Sequence, residues 1–353
     1  MRFLSGIYGV GICLFRYHLT KCGDPIRRQF VQRSDRSFSG MVIACLFSVA
    51  GRVFGSICVP RKSLVMRSIN WKRQKETNAV MDLALLTLML MVTGAIAGLC
   101  SGLFGVGGGF IVVPALLFVL DTAGYGGEGI IFIAIGTSLA TLILASSRSA
   151  LSHWRLGSLD VQFVRNWLPW LTAGTLIGVV AAAMVSSRQL QLIFALGVGA
   201  YSFFFLFPRA FSRFEFENLP VGMTRAVLGT SVGGVSALLG IGGGTPIVIT
   251  MTLCGRPIVQ AVGTAAGVGV VIGMLGAVGF LIVGLSKVVV GAPPGSIGFI
   301  NIPALIAISA VSVMTAPYGA RLAHDLKSDS LKRYFGLYLL LVATIILQQT
   351  TVT

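Results

Sequence analysis

Charge in this chain is confined to short stretches, and that pattern limits what the chain can fold into. No Asp, Glu, Lys or Arg occurs in 83–120, 129–147, 166–187, 189–208, 226–255, 257–286, 288–320 or 334–353. A helix needs about 20 apolar residues to cross a hydrocarbon core ~30 Å thick, so these runs are long enough to cross a bilayer many times. Only 11% of the residues are charged, against roughly 25% in soluble domains, which rules out an ordinary cytosolic enzyme. The expected fold class is an all-α polytopic protein. Its expected place is the cell membrane (bacterial inner or plasma membrane), with the lipid bilayer as its first partner.

The net charge of +16 does not point to nucleic acid. Residues 1–77 hold 14 of the 27 Lys and Arg, against the acids Asp24, Asp35 and Glu76. They contain no zinc-ligand spacing and no recognisable nucleic-acid module. Basic residues beside membrane spans ordinarily mark the cytoplasmic face. Three readings of 1–77 stand open: a targeting segment, a disordered basic arm, or upstream sequence preceding a start at Met66 or Met81. Its best apolar run, 37–60, is interrupted by Arg52 and ended by Pro60, so it is at most a marginal or interfacial helix. Cys13, Cys22, Cys45 and Cys58 fit no metal or disulfide pattern, while Cys100 and Cys254 read as packing residues.

From residue 80 the chain repeats itself. Gly98-Leu-Cys-Ser101-Gly-Leu-Phe-Gly105-Val-Gly107-Gly108-Gly109 lines up with Gly233-Gly-Val-Ser236-Ala-Leu-Leu-Gly240-Ile-Gly242-Gly243-Gly244 at an offset of 135. Ile135-Gly136-Thr137 matches Val262-Gly263-Thr264 at 127, and Gly157-Ser-Leu-Asp160 matches Gly298-Phe-Ile-Asn301 at 141. Two homologous halves are expected, 79–208 and 221–348, joined by a charged loop at 209–220. Each half reads as four full spans plus one short segment. The full spans fall near 80–104, 128–150, 164–185 and 189–208, then 221–241, 258–285, 300–322 and 331–348. The short segments, 110–120 and 245–254, follow the glycine clusters and cover only ~16 Å each.

If the short segments turn back, the basic residues divide 21 against 6 between the two sides; without 1–77 they divide 7 against 6. If the segments cross, the residues beyond 77 divide 11 against 2, and the halves become inverted relative to each other. The inverted arrangement is favoured, while orientation and oligomeric state stay open.

The glycine clusters carry the sharpest chemical signal: Gly105, Gly107, Gly108 and Gly109, then Gly240, Gly242, Gly243 and Gly244. Each glycine weakens a helix by about 1 kcal/mol relative to alanine. A lone cluster could simply allow close helix packing. Two copies, each followed by a short apolar segment, favour broken helices whose exposed N–H groups and dipoles suit an anion. Hydroxyls recur nearby: Ser101 and Ser236 before the breaks, Thr245 after the second, and Thr137, Ser138 and Thr264 on the following helices. Each alone reads as a helix-packing hydroxyl, and as a set they are candidate neutral donors to an anion. Asp160 and Asn301 read as helix caps, and Arg148 and the loop His153-Trp154-Arg155 as membrane-boundary residues. No acid lies mid-run and no metal-ligand spacing occurs, so no buried proton relay, metal or cofactor is called for. Catalysis lacks a nucleophile–base pair, so no enzyme is expected.

Together these features resemble the sulfite exporter TauE/SafE family, also called toluene sulfonate uptake permeases. The resemblance rests on Gly98-Leu-Cys-Ser-Gly-Leu-Phe-Gly-Val-Gly-Gly-Gly-Phe-Ile-Val-Val-Pro114, on Gly240-Ile-Gly-Gly-Gly-Thr-Pro246, on Ala134-Ile-Gly-Thr-Ser138, and on His153-Trp-Arg-Leu-Gly-Ser-Leu-Asp160. It covers about 79–348 and leaves 1–77 unmatched. It implies a permease for sulfite, sulfonates or related organosulfur anions, often exporting them. A cell interior negative by ~100 mV favours outward movement of one negative charge by ~2.3 kcal/mol, so export needs no coupling ion. Na⁺-coupled sulfonate uptake and an anion channel are the alternatives. Pro246 stands two places after its glycines and Pro114 five, so the two breaks need not share one geometry.

Overall fold

The computed structural model describes residues 61–352 apart from 106, 128, 208–218, 288, 290 and 326–328, with backbone alone for 61–82, 324–332 and 351–352. The interfacial helix expected over 37–60 lies outside the described residues. Residues 1–77 and 78–353 are separate compact units. Ten helices run in order among the described residues: α1 (Arg61–Phe104), α2 (Gly109–Thr122), α3 (Ile130–Arg155), α4 (Val161–Met184), α5 (Ser187–Leu206), α6 (Gly222–Leu239), α7 (Gly244–Leu253), α8 (Ile258–Ser286), α9 (Ile302–Asp325) and α10 (Asp329–Val352). Six contain stretches long and apolar enough to cross a membrane, and α2 and α7 are the short apolar helices. Each expected span falls on a helix, with ends displaced by a few residues. The exception is α1, which begins at Arg61 rather than near 80. No glycine or proline interrupts 61–93, and its Lys, Arg, Gln and Glu are good helix formers.

The helix ends follow from local chemistry. Ser186 and Gln189 form a reciprocal capping box that starts α5 after a two-residue turn. Asp160 caps α4 by accepting the Phe163 N–H at 2.9 Å, and Asn301 caps α9 by accepting the Ala304 N–H at 3.0 Å. A short hairpin, β1 (Ser296–Ile297) and β2 (Ile300–Asn301), precedes α9. The sequence expects His153-Trp154-Arg155 to be a boundary loop, but α3 continues through these residues and stops only at Gly157, whose φ is 70°. A left-handed residue ends a helix at little cost when it is glycine.

Packing shows which way each helix runs. Leu139, Leu142 and Ser146 of α3 lie over Gly276, Gly273 and Gly269 of α8, so these two helices are antiparallel. Helices α5 and α10 are antiparallel as well, with Gly199 against Ala343 and Phe205 against Gly336. Gly94, Gly98 and Gly102 seat α1 on Ile308, Ser312 and Ala316 of α9 in parallel. Likewise Gly229 and Gly233 seat α6 on Trp170 and Leu171 of α4. These glycines let backbones approach where any Cβ would intrude. Val164 and Val179 of α4 meet Gly267 and Gly279 of α8, again in parallel.

Near the start of α3, Thr137 meets Asn301 at the start of α9; near its end, His153 meets Gly102, which sits on Ala316. So α1, α3 and α9 run one way, and α4, α6 and α8 the other. Because α1 and α3 are parallel, α2 must carry the chain back. The short segments therefore cross rather than turn back to their own side.

Buried residues on almost every face of α3 place it at the centre of the fold. On the outside, Leu176, Ile177 and Val180 of α4, Met274, Val278, Ile282 and Leu285 of α8, and Leu337, Leu341 and Ile345 of α10 are exposed. Apolar faces of this extent suit lipid and not water. The chain is a multi-pass membrane protein.

Candidate functional site

Two glycine breaks meet at the middle of α3. In the first, Gly108 caps α2 with φ 76° and no side-chain hydrogen bond; in the second, Gly243 caps α7 with φ 67° in the same way. Any other residue at these caps would have to hold a left-handed backbone, which only glycine does freely. The N-termini of α2 and α7 both open towards Leu142, since Gly107 and Gly242 each abut its side chain. The positive ends of two helix dipoles, those of α2 and α7, thus face a common centre. Gly109 packs on the Gly240 carbonyl, and Ser138 donates to that same carbonyl at 2.9 Å, tying the second break to α3. Phe104 and Phe110, on either side of the first break, pack against Phe335 of α10 with centroids 5.0 and 6.4 Å away.

The candidate hydroxyls divide into two groups. Thr137 Oγ1 accepts the Asn301 N–H at 2.9 Å, and Thr264 Oγ1 accepts the Asp160 N–H at 3.0 Å. Thr137 on α3 therefore holds the capping residue of α9, Thr264 on α8 holds that of α4, and Ser138 holds a carbonyl. The hydroxyls of Ser101, Ser236 and Thr245 are buried without any hydrogen-bond partner. An unpartnered buried hydroxyl is unfavourable, and a ligand or a water can complete its bonding. Ser236 lies beside Gly243, and Ser101 accepts the Gly105 N–H through its carbonyl, so both unpartnered serines adjoin a break.

Three residues escape a reading of the sequence. Ser146 is a further buried, unpartnered hydroxyl, facing Gly269 where α3 crosses α8. Leu142 is one leucine in an apolar run and carries no local signal. His153 is fully buried, with Nε2 3.1 Å from the Gly102 carbonyl and Nδ1 3.0 Å from Ser158 Oγ. Gly157, the helix terminator, was the signal that α3 extends far enough to bury it. Arg148 is exposed on α3, as a boundary residue should be.

The sulfite exporter TauE/SafE family model matches residues 90–346. A probable membrane transporter protein of Haemophilus influenzae is 31% identical over 256 residues, which are 72% of this chain and 96% of that protein. One from Methanocaldococcus jannaschii is 24% identical over 265 residues, covering 71% of this chain and 91% of its own length. No solved structure matches. With six helices long and apolar enough to cross a membrane, and a family match running through both glycine breaks, the chain belongs to the sulfite exporter TauE/SafE family of membrane transporters.

Proposed function

We propose that this permease exports a small sulfur-containing anion, sulfite or an organosulfonate, between two homologous halves of opposite orientation. The observation that carries the reading is the set of buried, unpartnered hydroxyls, Ser101, Ser236 and Thr245, beside two helix N-termini that face one centre. Such a site offers dipoles and neutral donors to an anion without burying a fixed positive charge. Gly105, Gly107, Gly108, Gly109, Gly240, Gly242, Gly243 and Gly244 form its backbone walls. Thr137, Ser138 and Thr264 serve as its supports.

The inverted halves are supported by contacts that occur twice with the halves exchanged. Thr137 accepts from Asn301 as Thr264 accepts from Asp160. Gly136 packs on the Phe299 carbonyl as Gly263 packs on that of Ser158. Helices that align in sequence, α3 with α8 and α5 with α10, run antiparallel, as alternating access about a central site requires. Outward movement of the anion is driven by the membrane potential.

Radiolabelled sulfite flux in proteoliposomes without Na⁺ tests the proposal. Saturable flux that accelerates when unlabelled sulfite is present on the far side is expected. Flux that demands Na⁺ would replace export with coupled uptake, and unsaturable conductance would replace the carrier with a channel.

A further inference from the structure

Leu142 lies between Gly107 of the first glycine break and Gly242 of the second, beside the contact that Gly109 makes with the Gly240 carbonyl. A Cβ built on Gly107 would lie 2.9 Å from one of its methyls, and a Cβ built on Gly242 would lie 2.8 Å from the other. The same side chain also rests on Gly273 of α8 and is fully buried. In the second half the residue aligned with Leu142 is Gly269, by the offset of 127 that pairs Thr137 with Thr264. The centre therefore receives one bulky side chain rather than two. One turn further along α3, the buried hydroxyl of Ser146 faces Gly269 with no partner.

We propose that Leu142 closes the passage between the breaks, and that Ser146 faces the anion once Leu142 withdraws. The proposal rests on the reading of the breaks as the substrate site. A leucine suits this role because it makes no hydrogen bond that movement would break, and an apolar constriction excludes water and ions while closed. The glycines at 269 and 273 leave α8 smooth where α3 crosses it. A small shift of α3 against α8 then moves Leu142 without a steric barrier from the facing helix. Ser146, idle while the leucine is in place, becomes a donor in the opened state.

The test is the reactivity of Ser146→Cys, in a full-length chain whose six native cysteines are replaced, towards a small membrane-impermeant methanethiosulfonate. Adding Leu142→Ala is expected to raise the labelling rate about tenfold, because the open population rises. Leu142→Val is the milder truncation should the alanine variant fail to fold, and an intermediate rate is expected for it. Leu139→Ala is the control, since buried Leu139 packs on Gly276 rather than between Gly107 and Gly242 and leaves a cavity of the same size. Equal labelling with and without the Leu142 truncations overturns the proposal, and so does equal acceleration by Leu139→Ala. Labelling needs no substrate. Acceleration in a protein that moves no sulfite would keep Leu142 as the closure and remove the substrate reading. Sulfite flux with unchanged labelling would do the reverse.

Discussion

Thr137→Val and Ser236→Ala should separate hydroxyls that hold the fold from those left for a ligand. Thr137 Oγ1 accepts the Asn301 N–H at 2.9 Å, and both residues are buried. Valine keeps the shape of threonine and removes the acceptor, so a buried N–H goes unpaired. That loss costs about 1–3 kcal/mol of stability. Thr264→Val acts alike at Asp160, which is only half-buried, and should fall at the lower end of that range. Ser236 Oγ has no partner, so Ser236→Ala leaves nothing unpaired. A buried hydroxyl without a partner opposes folding by roughly 1–3 kcal/mol, and its removal should be neutral or stabilising.

The effects on transport reverse. A hydrogen bond to a charged ligand contributes about 1.5–3 kcal/mol, so Ser236→Ala should raise the KM for sulfite on the order of ten- to a hundredfold. Thr137→Val should leave it near the native value. Thermal unfolding of the purified protein in detergent measures the first effect, and the concentration dependence of flux in proteoliposomes the second. A Ser236→Ala protein that melts as early as Thr137→Val would refute the reasoning. So would a KM raised by Thr137→Val and left unmoved by Ser236→Ala.

Two further outcomes follow from the helix directions and from the glycine contacts. Single cysteines at Leu156 and Arg256 should be labelled from one side of the membrane, and cysteines at Arg188 and Lys287 from the other; if 156 and 256 prove to lie on opposite sides, the short helices do not cross. Gly98→Val and Gly233→Val should each prevent a monodisperse protein in size-exclusion chromatography, because the added Cβ would sit 2.7 Å from the Ser312 Cα or 2.8 Å from the Thr175 N; normal elution of either would mean that α1 and α6 are not seated as described.

Much of the architecture could be read from residue types. Uncharged runs located the helices, because a charge inside hydrocarbon is costly enough to be kept out. Glycine clusters located the breaks, because paired clusters in apolar runs, each followed by a short segment, favour a broken helix over close packing alone. Asp160 and Asn301 could be named as caps from their places just before helices. Partners could not be read so well. Thr137 and Ser101 look alike in sequence, yet the hydroxyl of one is bonded to a residue 164 positions away and the hydroxyl of the other to none. A hydroxyl's role depends on what the fold brings to it. Leu142 was hidden for a related reason: its place between Gly107 and Gly242 arises only when α2, α3 and α7 are packed together. The seating of α1 on α9 left a faint trace in the four-residue spacing of Gly94, Gly98 and Gly102.

The most direct test of an anion carrier with its site at the breaks is sulfite flux under an imposed voltage alone, in the intact protein and in Gly108→Leu and Gly243→Leu. Leucine at either cap would need a left-handed backbone, and its Cβ would press on the Ala97 carbonyl or on Ile272. Saturable, voltage-driven flux in the intact protein that is lost in both folded variants is the expected result. Flux that both substitutions leave unchanged would contradict the site.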